Sequence, residues 1–214
     1  GRPWTVVATG TTDASSWVTS RFDASDWPTE ILNQWPWPFV VEVTWELAAG
    51  TLEMRTTAIN TGDAPMPYGF GIHPYFHKPA HAAVTVPALR RWRLESNYPT
   101  GETVPVEGSY DLRDNADVAA LSLDDIYTEL RADDGVVTCT LTDLDTGATT
   151  RVVFRRTEFP DVVVYTPPKR TAICIEPNTC PTDAFNLEAR GTSASVRVLE
   201  PGASERFTIR ITRK

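Results

Sequence analysis

The chain's three histidines, His73, His77 and His81, fall four residues apart in or beside one stretch, residues 67–79. That stretch reads Pro-Tyr-Gly-Phe-Gly-Ile-His-Pro-Tyr-Phe-His-Lys-Pro. Glycine allows close backbone approach, and proline fixes φ and removes a donor. A histidine held between such residues has a defined place, as a proton-transfer group needs. On a helix the four-residue spacing would stack all three rings for a metal. Pro74 and Pro79 break that helix, and on an extended strand four residues span roughly 13 Å, too far for one shared ion. No metal site is therefore expected. His77 and His81 read as hydrogen-bonding residues, and His73, deepest in the frame, as the functional one.

The candidate partner is Glu176, which follows the apolar run Ala172-Ile-Cys-Ile175 and precedes Pro177. A carboxylate at the end of a buried strand is partly desolvated, which raises its pKa towards that of a useful base. A salt-bridged glutamate at a sheet rim fits the same pattern equally well. Asp124-Asp125 before Ile126-Tyr127 offers strong acceptors for sugar hydroxyls, or simply a turn or cap. Tyr75 and Phe76, next to His73, are the aromatics placed to line a site. The other aromatics, Trp27, Trp35 and Trp37 among them, serve equally as core.

The elements that must position these residues are strands. Val41, Val43, Trp45 and Leu47 alternate with polar residues, and Ala48-Ala49-Gly50 turns the chain back through residues 51–60. Residues 4–9, 16–22, 83–86 and 91–94 are strand-like. Residues 136–142 and 149–155 flank a hairpin turn at 143–147. The apolar runs 162–165 and 172–175 read as central strands, and alternation at Phe207, Ile209 and Ile211 closes the chain. Residues 26–38 and 97–113 are expected to be irregular, with one helical turn within 116–125. No repeat or low-complexity linker divides the 214 residues, which predicts one all-β domain, predominantly antiparallel.

A net charge of −8 argues against nucleic acid and anionic membranes as partners, and no apolar run reaches the roughly 18 residues that span a bilayer. Cys139, Cys174 and Cys180 are odd in number and lack CxxC spacing. They are expected to be reduced thiols of a cytoplasmic protein, with a Cys174–Cys180 disulfide the alternative in a secreted one.

Three motifs in order carry a resemblance. Residues 65–76, Pro-Met-Pro-Tyr-Gly-Phe-Gly-Ile-His-Pro-Tyr-Phe, resemble the central motif of the aldose 1-epimerase (galactose mutarotase) family. Leu123-Asp-Asp-Ile-Tyr-Thr128 is similar to its acidic motif. Ile175-Glu-Pro177 with Pro181-Thr-Asp-Ala-Phe-Asn186 resembles its C-terminal motif, in the bacterial mutarotase-related branch. The resemblance implies a β-supersandwich and a cofactor-free isomerase acting on a small-molecule sugar. Glu176 would be the base and His73 the acid, about one sugar ring apart across a common cleft. Asp124, rather than Asp125, would hold hydroxyls, with Tyr75, Phe76 and Asn186 lining the site. The family carries a further histidine and an arginine in a segment that would precede Gly1. The single domain, residues 1–214, is accordingly expected to be incomplete at its N-terminus and completed by further chain or a second polypeptide. Two alternatives accompany this reading: a carbohydrate-binding module without turnover, and an epimerase of a phosphorylated or sulfonated sugar using cations such as Arg90, Arg91, Arg93 or Lys169.

Overall fold

The computed structural model describes residues 2–168 and 171–214. Regular structure is almost entirely antiparallel strand, as the alternating sequence predicts. The chain forms two compact units, Gly1–Tyr68 with Arg197–Ile211, and Gly69–Val196 with Thr212–Lys214.

In the first unit, β1 (Thr5–Thr11), β2 (Ser15–Asp23), β3 (Phe39–Ala48), β4 (Thr51–Asn60) and β17 (Ser204–Arg213) lie side by side in that order. The β3–β4 hairpin turns on Ala49 and Gly50, both at positive φ (46° and 75°). That geometry matches the twist of the strands it joins. A short ribbon pairs β5 (Met66–Tyr68) with β16 (Arg197–Leu199). Asn60, fully buried, donates to the carbonyls of Ala64 and Leu199, each at 2.8 Å. Residues 24–32, within or beside the expected loop, hold a 3-10 turn and a π turn, Ala24–Asp26 and Pro28–Leu32.

The second unit carries the histidine stretch. One group of strands runs β13 (Thr149–Arg155), β12 (Val136–Asp143), β7 (Ala82–Thr85) and β10 (Ala116–Asp117). The other, six-stranded, runs β6 (Tyr75–His77), β15 (Ala172–Asn178), β14 (Asp161–Tyr165), β11 (Asp124–Leu130), β8 (Ala88–Glu95) and β9 (Tyr98–Pro105). The central placement of the apolar runs 162–165 and 172–175 is as expected. Two expectations are corrected. Half of the supposedly irregular 97–113 segment is strand β9, joined to β8 through Ser96 and Asn97, both at positive φ. Pro99, Pro105 and Gly101 disguise its pattern, and β9 tolerates them because it ends the sheet. Glu176 and Pro177 lie inside β15 rather than beyond its end.

Register decides which face each residue serves. Asp124 pairs with Tyr165, Tyr165 with Cys174, and Cys174 with Tyr75. In the next row Ile126 pairs with Val163 and Val163 with Glu176. Because side chains alternate along a strand, these residues share one face. Asp125, Tyr127, Val162, Val164, Ile173 and Ile175 fill the opposite, buried face. A short helix, α1 (Ala184–Ala189), brings Ala184 and Leu187 onto part of the first face. They form a cluster there with Trp92, Ile126 and Ala194, packed by Val163 and Leu94. Too short for a periodic signal, α1 leaves no trace in the apolar pattern. Among the described residues no helix is long and apolar enough to cross a membrane.

Candidate active site

His73 reaches its position through backbone pairing. Phe70 and Thr179 exchange bonds: the Phe70 N–H donates to Thr179 Oγ1 at 2.7 Å, and the Thr179 N–H to the Phe70 carbonyl at 2.8 Å. Gly71 bridges Asn178, and the Ile72 N–H donates to the Pro177 carbonyl. Tyr75 pairs with Cys174 in the same register. His73 therefore falls directly across from Glu176, where opposed side chains of antiparallel chains are neighbours. Pro74, with no N–H, leaves the ladder open at that point. Gly71 is required: a Cβ there would sit 1.8 Å from Asn178 Oδ1, and the Asn178 amide donates to the Glu176 carbonyl.

His73 Nδ1 lies 3.2 Å from Glu176 Oε1. The expected separation of about one sugar ring is thus replaced by direct contact, because the two residues are cross-strand neighbours. That contact apart, Oε1 is buried without a hydrogen-bond partner among the described residues. Glu176 is only 7% exposed, whereas the His73 side chain is 51% exposed. Burial, reinforced by the nearby charge of Asp124, pushes the Glu176 carboxyl up to about 7. The buried Cys174 thiol, two residues away on the same face, is pushed up to about 12 by burial and by Glu176. The donor atoms of His73, Cys174 and Glu176 all lie within 4.8 Å of one another. That trio was missed in the sequence, although the i, i+2 spacing of Cys174 and Glu176 on a strand was a signal for it.

Tyr75 stacks flat on the His73 ring, centroids 4.8 Å apart and planes 9° apart, and Tyr165 meets that ring edge-on at 6.0 Å. Asp124 opens β11 on the same face, exposed, and borders a cavity of about 340 Å3 with Leu94, Tyr98, Ile126, Val163 and Thr182. Asp125 points the other way, and its carboxylate takes Arg91 at 3.2 Å. Phe76 pairs with Ile173 and so faces the opposite side of the sheet from Tyr75 and Glu176, away from the site it was expected to line. Asn186 stands exposed on α1, where its amide donates to Asp183.

His81 forms an exposed pair with Asp145, and His77 ends β6, exposed. Of the cations considered for an anion pocket, Arg90 binds Thr103 and Glu129, Arg91 binds Asp125, and Arg93 binds Glu102. Lys169 lies outside the described residues. A further buried acid, Asp161 (2% exposed), pairs with Asn178 on the covered part of the face. Its Oδ1 accepts the Trp92 indole N–H at 3.0 Å, the Thr128 hydroxyl bonds it as well, and burial pushes it up to about 6.

This face combines a half-exposed imidazole with a buried carboxylate titrating near neutrality and an open rim of polar and aromatic groups. It is equipped to take a proton from one oxygen and give one to another close by. Residues 1–212 match the aldose 1-epimerase family. Among solved structures, a galactose mutarotase-like protein from Clostridium acetobutylicum superposes with a TM-score of 0.88 at 20% identity, over 99% of this chain and 66% of that one. A galactose mutarotase-like protein from Lactobacillus casei gives 0.72 at 20% identity, over 99% and 73%. The GalM/aldose epimerase homologue from C. elegans gives 0.77 at 17%, over 100% and 69%. The chain thus shares the all-β fold of these proteins while spanning 66% of the length of the Clostridium protein.

Proposed function

The chain belongs to the aldose 1-epimerase family, and from that premise we propose that it interconverts the α and β anomers of a free aldohexose. The Glu176 carboxylate takes the proton of the anomeric hydroxyl while His73, protonated, gives one to the ring oxygen. The C1–O5 bond breaks and a free aldehyde forms. Rotation about C1–C2 presents its other face, O5 re-adds, and both protons return by the reverse transfers. Asp124 holds sugar hydroxyls at the rim of the adjoining cavity, and Tyr75 holds the His73 ring.

The observation that carries this reading is the cross-strand contact of His73 with a buried Glu176 oxygen that has no hydrogen-bond partner among the described residues. The anomeric and ring oxygens share one carbon, so an acid and a base that serve them must lie within reach of one small group, as His73 and Glu176 do. The engagement of Arg90, Arg91 and Arg93 by other groups favours an uncharged sugar over a phosphorylated or sulfonated one.

Polarimetry on freshly dissolved α-glucose and α-galactose tests the proposal. The protein should accelerate equilibration, and Glu176→Gln should lower the rate about 100-fold to 10,000-fold, the usual span of general acid–base catalysis. Equal rates with the native protein, with Glu176→Gln and with buffer alone would refute it for those sugars.

A further inference from the structure

We propose that His73, Cys174 and Glu176 together bind a borderline-soft divalent cation of the Zn2+ class, and that the bound ion silences the acid–base pair. The donor set is one imidazole nitrogen, one thiol sulfur and one carboxylate oxygen, the types that zinc selects, three in number as in sites that keep a fourth position open. Sheet geometry supplies the arrangement. Cys174 and Glu176 are two apart on β15 and share its face, and the register sets His73 across from Glu176. The three donor atoms lie within 4.8 Å of one another, so closure onto zinc distances requires a contraction of about 1 Å. His73, half exposed beside the open step at Pro74, is the member of the trio least held by burial.

A second observation points to a ligand. Glu176 Oε1 is buried without a hydrogen-bond partner among the described residues, and buried carboxylate oxygens are normally satisfied. A cation there would satisfy it. Cys174 sits fully buried beside it. On binding, the thiol proton leaves to solvent, together with any proton still held by the Glu176 carboxyl, and the thiolate coordinates the metal, so uptake releases protons and strengthens as pH rises. A fourth position left to water would complete such a site. An ion so placed occupies the lone pairs that the proposed isomerisation uses, so the inhibitory part of this inference rests on the mutarotase reading. The binding part does not.

Co2+ is the probe, because a cobalt–thiolate bond gives a sulfur-to-metal charge-transfer absorption in the near ultraviolet. The native protein titrated with Co2+ should develop that band, and Zn2+ should remove it by displacement. Cys174→Ser should abolish the band and weaken Zn2+ binding about 10-fold or more, since even removing a group that only supports a ligand costs that much. His73→Ala, a change on the exposed side, should weaken binding similarly in a protein whose circular dichroism is unchanged. Cys180→Ser should keep the band. Absence of the band in the native protein, or its persistence in Cys174→Ser, overturns the proposal. In the activity arm, one equivalent of Zn2+ should abolish anomer exchange, and EDTA should restore it. Exchange that continues undiminished with Zn2+ bound overturns the inhibitory claim. A protein that shows the cobalt band but never accelerates exchange instead refutes the mutarotase reading and leaves the metal site standing.

Discussion

Replacing Asp161 by Asn should make this protein more stable at neutral pH, by an amount that fades as the solution is acidified. Asp161 is buried and, among the described residues, has no cation facing it in its bonds: its partners are the Trp92 indole and the Thr128 hydroxyl. Burial holds its carboxyl at about 6 in the folded protein, against an ordinary 3.8 in an unfolded chain. The folded state therefore binds this proton more tightly than the unfolded state does. The stabilisation this provides is complete below pH 3.8 and is lost as pH rises through 6. The total is about 3 kcal/mol, of which about 1.4 kcal/mol falls between about pH 5 and pH 8. Asn mimics the protonated acid, keeps the acceptor for Trp92 and cannot ionise. Urea unfolding of both proteins across that range, at fixed ionic strength, isolates the term, because Glu176 and every other titrating group cancel in the difference. The advantage of Asp161→Asn should grow by about 1.4 kcal/mol from the acid to the alkaline end. A difference independent of pH, or one that shrinks as pH rises, would refute the assignment of Asp161 as an acid held neutral by burial.

Further outcomes follow from the site. In buffer containing EDTA, the acid limb of the kcat/KM profile should fall near pH 7 rather than in the ordinary carboxylate range, since Glu176 must be ionised and is held at about 7. Asp124→Asn removes a negative charge that helps to hold it there, so the limb should move to lower pH; a limb that stays in place or rises contradicts that coupling. Gly71→Ala drives a methyl into Asn178 and should cost about 1–3 kcal/mol of stability, with a larger loss of activity than that destabilisation explains. Tyr75→Leu removes the stacked partner of His73, an aromatic contact of about 0.5–1.5 kcal/mol. It should lower kcat up to about 10-fold with little change in the urea midpoint, because Tyr75 itself is largely exposed.

The hairpins and the two central strands are legible in the sequence because alternation and turn residues are local signals. Strand β9 is not, because its prolines and glycine read as loop until the neighbouring β8 supplies a partner. For the site, His73, Glu176 and Asp124 are found from motif and flanking residues, and the structure sets all three on the same face. Phe76 shows the limit: adjacency to His73 suggests a lining role, but adjacent strand residues face opposite ways. The same blindness to register hides Cys174 from the functional set and misjudges the distance between His73 and Glu176. That distance depends on pairing residue 71 with 178 and 75 with 174, contacts about a hundred positions apart that no local pattern encodes.

Strand β6, three residues at the end of its sheet, holds Tyr75 and adjoins His73, whereas Glu176 sits on β15 with a strand on either side. The two halves of the pair therefore differ in how much must open to release them. Fraying of β6 would carry the proton donor away while the sheet stayed intact, and the acceptor would be lost only with the sheet itself. In native-state hydrogen exchange the β6 amides should exchange well ahead of those of β14 and β15. An additive that stiffens the segment around His73, whether sugar or metal, should slow β6 selectively. The steadiness of catalysis at elevated temperature would then follow the opening free energy of one short edge segment rather than the melting of the whole protein.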